Sequence, residues 1–267
     1  MCTVTFIARS QGYALGMNRD EKLARVRALP PAPQEIAGRT ALFPSEPGGG
    51  TWIGVNDAGA TYALINWYSV PARPSAHAMS RGSVVRSALG FDTAPRCGDE
   101  LTRLPLDQIS PFRLIGIFPH DRQVVEWRWN LLHLERLDHQ WKTSIWISSG
   151  FDEPGAEQTR RETFNEAVRK QPLQSLRWLR RLHASHAPAA GPHSVCMHRD
   201  EAATVSYTEI VVTDSVARLA YADGAPCCTR AMKHKSLKRA TISGLAAGAP
   251  RQTLGCALAA NSFVSAA

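Results

Sequence analysis

The chain has 267 residues, 44% of them hydrophobic and 20% charged, which is enough apolar material for one large buried core. No run of about 18 apolar residues exists, which argues against a membrane-spanning helix, and the apolar stretch at residues 4–8 is too short for a secretion signal. Of the net charge of +8, six basic residues with no acid among them fall in residues 229–267, so the body of the chain is nearly neutral and lacks the charge of a nucleic-acid-binding domain.

Residues 2–8 alternate as a strand, with Thr3 and Thr5 against Val4 and Phe6. Ser10-Gln11-Gly12 signals a turn, and residues 13–17 read as the returning strand of a hairpin. Pro30-Pro31-Ala32-Pro33 marks a loop. Residues 51–55 and 61–67 form a second hairpin around Asn56-Asp57-Ala58-Gly59. Residues 80–89 read as a helix capped by Ser80, and 92–107 as a loop. Strands follow at 113–118, 123–129 and 142–148. Residues 154–170 read as a helix, with Pro154 in the first turn and Arg169 and Lys170 in the last. A second helix covers 173–183, and strands at 204–213 and 217–222 close a hairpin through Asp214-Ser215. Strands at both ends with helices between them give an α+β layered fold. Residues 1–228 form a single domain. Residues 229–267, poor in aromatics and rich in Ala, Gly and Ser, read as a basic, disordered tail.

The six cysteines show no repeated spacing, and with no secretion signal a disulfide framework is not expected. The protein is read as cytoplasmic. His183 and His186, and Cys196 and His198, have ligand-like spacing, but they read as exposed or core-satisfied side chains, and no metal site is expected. Trp127 and Trp129 alternate in a strand and read as sheet-face packing. Gly48-Gly49-Gly50 lacks the Lys-Ser/Thr of a phosphate loop and reads as a lead-in to the strand at 51–55.

Cys2 is the residue with chemical meaning. A small second residue permits removal of Met1, which would leave a thiol and an α-amine on one residue. Their reference pKa values are about 8.5 and about 7.7–8.0, so one residue supplies both nucleophile and base. Asn18-Arg19-Asp20-Glu21 follows the first hairpin, whose second strand runs back toward the terminus and brings Asp20 toward Cys2. Asn66 at a strand end presents an amide donor.

Met1-Cys2-Thr3, Asn18-Arg19-Asp20-Glu21, Gly50-Thr51-Trp52-Ile53-Gly54-Val55-Asn56, Asn66 and Ser80-Arg81-Gly82 together resemble the NRDE family, the relatives of transport and Golgi organisation protein 2. That family in turn resembles the N-terminal-nucleophile hydrolases of the choloylglycine hydrolase and penicillin V acylase type. The resemblance implies a four-layer αββα fold. It implies Cys2 as nucleophile, Asp20 as the carboxylate that positions it and Asn66 as the oxyanion-hole amide. The arginine of those enzymes stands three residues before the aspartate, where this chain has Met17. Arg19 is the substitute, on the same face of an extended strand but displaced by about 7 Å. Their late asparagine corresponds to Ile147-Ser148-Ser149, which has no amide, and their last arginine is unassigned, with Arg199 nearest in the sequence. Asn18, Glu21, Asn56 and Arg81 are the remaining motif residues, binding or structural.

Two functions follow from the resemblance. One is hydrolysis of a non-peptide C–N amide bond in a small molecule, with no cofactor. The other is binding and transfer of haem, or of a lipid or acyl-CoA, on the same fold without catalysis.

Overall fold

The structure, a computed structural model, describes residues 2–72, 78–171 and 173–240. Two antiparallel sheets lie face to face. The first has six strands: β1 (Cys2–Ala8), β2 (Tyr13–Lys22), β10 (Ser144–Ser148), β11 (Ala202–Val212), β12 (Val216–Ala222) and β13 (Lys233–Lys238), in the order β10-β1-β2-β11-β12-β13. The second runs β3 (Leu29–Ile36), β4 (Arg39–Ser45), β5 (Ile53–Asn56), β6 (Thr61–Asn66), β7 (Phe112–Phe118), β8 (Gln123–Trp129) and β9 (Leu134–His139), each paired with the next.

Period-two alternation distributes the side chains among three cores. Val4, Phe6, Leu15 and Met17 of the first sheet meet Val55, Ala63, Ile65 and Ile115 of the second between the sheets. The other face of the first sheet, with Ile7, Ala14 and Ile147, is covered by α3 (Glu153–Lys170) and α4 (Leu176–His183). The other face of the second, with Tyr62, Leu114, Trp127 and Trp129, is covered by α1 (Gly82–Ala88) and α2 (Ala94–Arg103). This is the αββα order, with Trp127 and Trp129 packed on a sheet face.

The helices covering the first sheet begin on side-chain caps. Asp152 accepts from the Gly155 N–H at 3.0 Å, and Ser175 from the Trp178 N–H at 3.1 Å. Far from the Cys2 end, the two sheets are tied by polar contacts. Tyr13 donates to the Gly59 carbonyl at 2.8 Å, and Arg239, just past β13, donates to the carbonyls of Ala58 and Thr213.

Four expectations are corrected. The proline-rich segment is β3, an edge strand with a register shift between Leu29 and Ala32, where missing N–H groups cost no ladder bond. Residues 92–107 hold α2, which starts on Thr93 with a proline in its first turn and buries Ala94, Cys97 and Leu101 on one face. β4 and β9 add strands to the second sheet. Residues beyond 228 are not uniformly unstructured: β13 pairs with β12 from Lys238 opposite Val216 to Lys233 opposite Tyr221, and takes the sheet edge. The rest of the supposed tail, residues 241–267, lies outside the described residues.

Candidate active site

Cys2 opens β1 between two neighbours, Arg19 on β2 and Ser148 on β10. Its backbone N–H donates to Ser148 Oγ at 3.1 Å. Ser148 thus occupies the strand end where the sequence offers a hydroxyl instead of an amide. The Cys2 side chain is buried in the core between the sheets. Burial pushes its thiol above the ordinary value, and the Asp20 carboxylate adds to that rise. The positive chain terminus, Arg19 and the Asp20 backbone N–H pull the other way without winning. The resting group is therefore a thiol.

Strand β2 divides its motif between two faces. Arg19 turns toward the opposite sheet. It lies over the Trp52 ring at 4.2 Å and pairs with Glu46 at 2.5 Å. Asp20 and Asn18 turn toward the helices. Asp20 Oδ1 accepts from Thr204 Oγ1 at 2.6 Å and Oδ2 from Arg160 at 3.2 Å, and Arg160 also donates to Thr3 Oγ1 at 2.8 Å. Asp20 and Arg160 are both fully buried. The Asp20 group beside the sulfur is thus its backbone N–H, while its carboxylate anchors a layer behind the strand.

Arg160 is the residue that sequence reading missed. The signal was present: Ala156, Arg160 and Phe164 recur every four residues and form the buried stripe of α3. A charge in the middle of such a stripe needs a buried partner. Arg199, the nearest candidate in the sequence, sits elsewhere, pairing with Glu201 and lying over Phe151.

On the inter-sheet side a cavity of about 490 Å³ opens at the Cys2 end. Cys2, Arg19, Asp20, Glu21, Asn66 and Arg81 all border it, with Trp52 and Tyr68. The structure thus brings six of the eight motif residues to one space. Asn66, the last residue of β6, donates through Nδ2 to Tyr68 Oη at 2.6 Å, which uses one of its two amide hydrogens. Tyr68 packs so close to Gly150 that a Cβ there would lie 2.9 Å from its ring. Arg81 reaches the cavity because Gly82 backs onto Gly50: a Cβ on Gly82 would meet the Gly50 Cα at 2.9 Å, and the Thr51 N–H donates to the Gly82 carbonyl at 3.2 Å. Burial lowers the affinity of the Arg81 guanidinium for its proton, with Tyr68, Cys2 and Glu21 opposing that shift. Among the described residues no carboxylate is ion-paired with it; it donates to the Pro111 carbonyl at 3.3 Å.

The other two motif residues are structural. Asn18 Nδ2 donates to the carbonyls of His183 and Val195, both at 2.9 Å. Asn56 Nδ2 donates to those of Leu89 and Phe91, and its Oδ1 accepts from the Ala60 N–H. Both are fully buried, and each satisfies carbonyls at a helix end or in a loop that no strand reaches.

The sequence matches the Transport and Golgi organisation 2 family over residues 1–186. The chain belongs to that family. A search of curated proteins finds no match. Among solved structures, a variant of the conjugated bile acid hydrolase from Clostridium perfringens is similar with a TM-score of 0.55 and 8% identity, over 89% of this chain and 97% of that one. A mutant of the same hydrolase gives 0.53 and 8%, over 87% and 96%. The chain thus has the fold of N-terminal-nucleophile hydrolases. None of its described helices is long and apolar enough to cross a membrane.

A second cluster lies outside the cavity. His186, Cys196, His198 and Cys227 bring one ligand atom each to within 4.8 Å of all the others. His183 is not among them: it is buried between Asn18 Oδ1 and Thr5 Oγ1, both at 3.0 Å. Of the residues read as exposed or core-satisfied, His186, Cys196 and His198 thus converge with Cys227, which sequence spacing does not show because it depends on the turn after β12 folding back onto the loop before β11.

Proposed function

We propose that the protein is a thiol-dependent hydrolase of a small-molecule amide, with Cys2 as its N-terminal nucleophile. The observation that supports this reading best is that Cys2 and Asn66 line one cavity. Removal of Met1 frees the Cys2 α-amine. The sulfur attacks the amide carbonyl, an S–C bond forms, and the carbonyl π electrons move to oxygen. The α-amine takes the thiol proton and passes it to the leaving nitrogen as the C–N bond breaks. Water then attacks the thioester, releasing the acid and restoring the thiol. Asn66 Nδ2 donates to the oxyanion, and Ser148 holds the Cys2 nitrogen in place. The buried Asp20–Arg160 pair keeps the end of β2 rigid beside the sulfur.

Arg81 supports a substrate that carries an anionic group near the scissile bond. It is the cavity guanidinium with no carboxylate partner among the described residues, whereas Arg19 and Arg25 share Glu46 and Glu21. The Trp52 indole N–H, buried and unpartnered among the described residues, offers a further donor. The haem alternative has less support. Apart from Cys2, Tyr68 and Met79 the described lining offers no haem ligand, it contains no histidine, and its walls carry several charges where a porphyrin needs apolar faces.

The test uses chain purified with Cys2 as its first residue, confirmed by intact mass. Incubated with a panel of N-acyl amino acids, it should release amine, and Cys2→Ala should release none. Amine release by Cys2→Ala, or a native protein that retains Met1, would end this reading. Arg81→Met should raise KM about tenfold or more for anionic amides and leave uncharged amides unaffected.

A further inference from the structure

We propose that His186, Cys196, His198 and Cys227 form a structural zinc site that fixes the loop behind Asp20. The four residues come from two segments. His186, Cys196 and His198 lie in the stretch between α4 and β11, and Cys227 in the turn after β12. His198 Nε2 stands 3.1 Å from His186 Nε2, 3.4 Å from Cys227 Sγ and 3.6 Å from Cys196 Sγ. A tetrahedral zinc ion with Zn–N near 2.0 Å and Zn–S near 2.3 Å places its donors about 3.3–3.8 Å apart. An imidazole nitrogen makes one hydrogen bond along its own axis, so three polar neighbours around one Nε2 are poorly explained by hydrogen bonding alone. They are what a shared ion gathers. Two thiolates and two imidazoles in a closed set select zinc over the hard cations, and leave no open position for catalysis.

The surroundings show what the ion would do. Between α4 and β11 lie 18 residues without helix or strand, an uncommon length in a compact fold. This loop supports the layer behind the site. Arg160 donates to the carbonyls of Pro192 and His193. The Met197 N–H donates to Thr204 Oγ1, which in turn donates to Asp20. The loop therefore touches Arg160 directly and Asp20 through Thr204 of β11. Cys196, His198 and Cys227 all lie beyond the part of the chain that matches the family, so the site would be a feature of this chain's own C-terminal region.

Elemental analysis of full-length protein, purified under reducing conditions without added chelator, should find about one zinc per chain. Cys196→Ser and Cys227→Ser should each lose it, while Cys97→Ser keeps it. Because a ligand variant can misfold, the wild-type protein is also stripped with chelator and titrated with Co(II). Thiolate-to-cobalt charge transfer and tetrahedral d–d bands should appear and saturate at one equivalent. Chelation should lower Tm, and zinc should restore it. Absence of both zinc and cobalt bands, zinc retained in Cys227→Ser, or a Cys196–Cys227 disulfide in the reduced preparation would each overturn the proposal. None of these readouts depends on hydrolysis, so zinc can fail while the amidase reading stands, and the reverse.

Discussion

At the scale of single residues, the structure separates groups that face substrate from groups that hold them. Asn66→Ala removes a donor from the cavity and leaves the core between the sheets intact. Turnover should fall by roughly a hundredfold or more, a loss of about 3 kcal/mol or more of transition-state stabilisation, with Tm nearly unchanged. Steady-state kinetics beside a thermal melt checks both halves. Arg160→Met does the opposite kind of damage. It strands the Asp20 carboxylate in a dry interior and should cost about 3–5 kcal/mol of stability, read by urea denaturation. His183 sets a pH dependence. Burial, with help from Arg160, lowers its pKa from 6.5 to about 3. The unfolded chain binds a proton through that interval and the folded imidazole refuses it. Stability should therefore be highest above about pH 6.5 and decline as pH falls toward 3, by up to about 1.4 kcal/mol per unit from this group. Urea midpoints at pH 7 and pH 5 should differ less in His183→Gln than in the parent. At this scale the sequence was legible where a motif placed a residue at a strand end, as with Cys2 and Asn66. For Arg160 it showed only a charge in the buried stripe of α3, and not the partners Thr3 and Asp20 that its side chain reaches on β1 and β2.

At the scale of elements, the first hairpin could be read because its turn and alternation are local, and the same holds for α3 with its proline and terminal charges. β4 was harder. Ala41, Leu42 and Phe43 are all buried because both faces of their strand are covered, so no alternation marks them. β3 and β9 are edges of the second sheet, where exposure and proline remove the usual strand signal. β13 is a lysine-rich edge whose partner lies on the first sheet. A chain ending at residue 228 exposes the β12 edge and loses the Arg239 contacts, whereas one ending at residue 240 keeps them. The shorter chain should melt several degrees below the longer one, and equal melting temperatures would show that β13 contributes nothing. Asp152 caps α3 and also meets His193 at 3.1 Å. Asp152→Ala should cost about 1 kcal/mol, measured the same way.

At the scale of the whole molecule, 8% identity to a hydrolase leaves almost no shared side chains, yet the layer order is preserved. The layers depend on which face of each strand is apolar, a pattern that many sequences satisfy. That is why the αββα architecture could be anticipated from a few motifs, while the substrate could not be: the motifs supply much of the cavity wall but not its shape, which depends on how Tyr68, Met79 and Ser110 close around them. The polar ties between Tyr13 and Gly59, and between Arg239 and the turns at Ala58 and Thr213, lie far from Cys2. The molecule is in this sense a clip, closed far from Cys2 and notched at the other end by a cavity that the Arg19–Glu46 pair bridges along one wall. Cys2 and Asn66 both line that notch, so the girth of a substrate at its amide, more than the length of its tail, decides what the clip can grip.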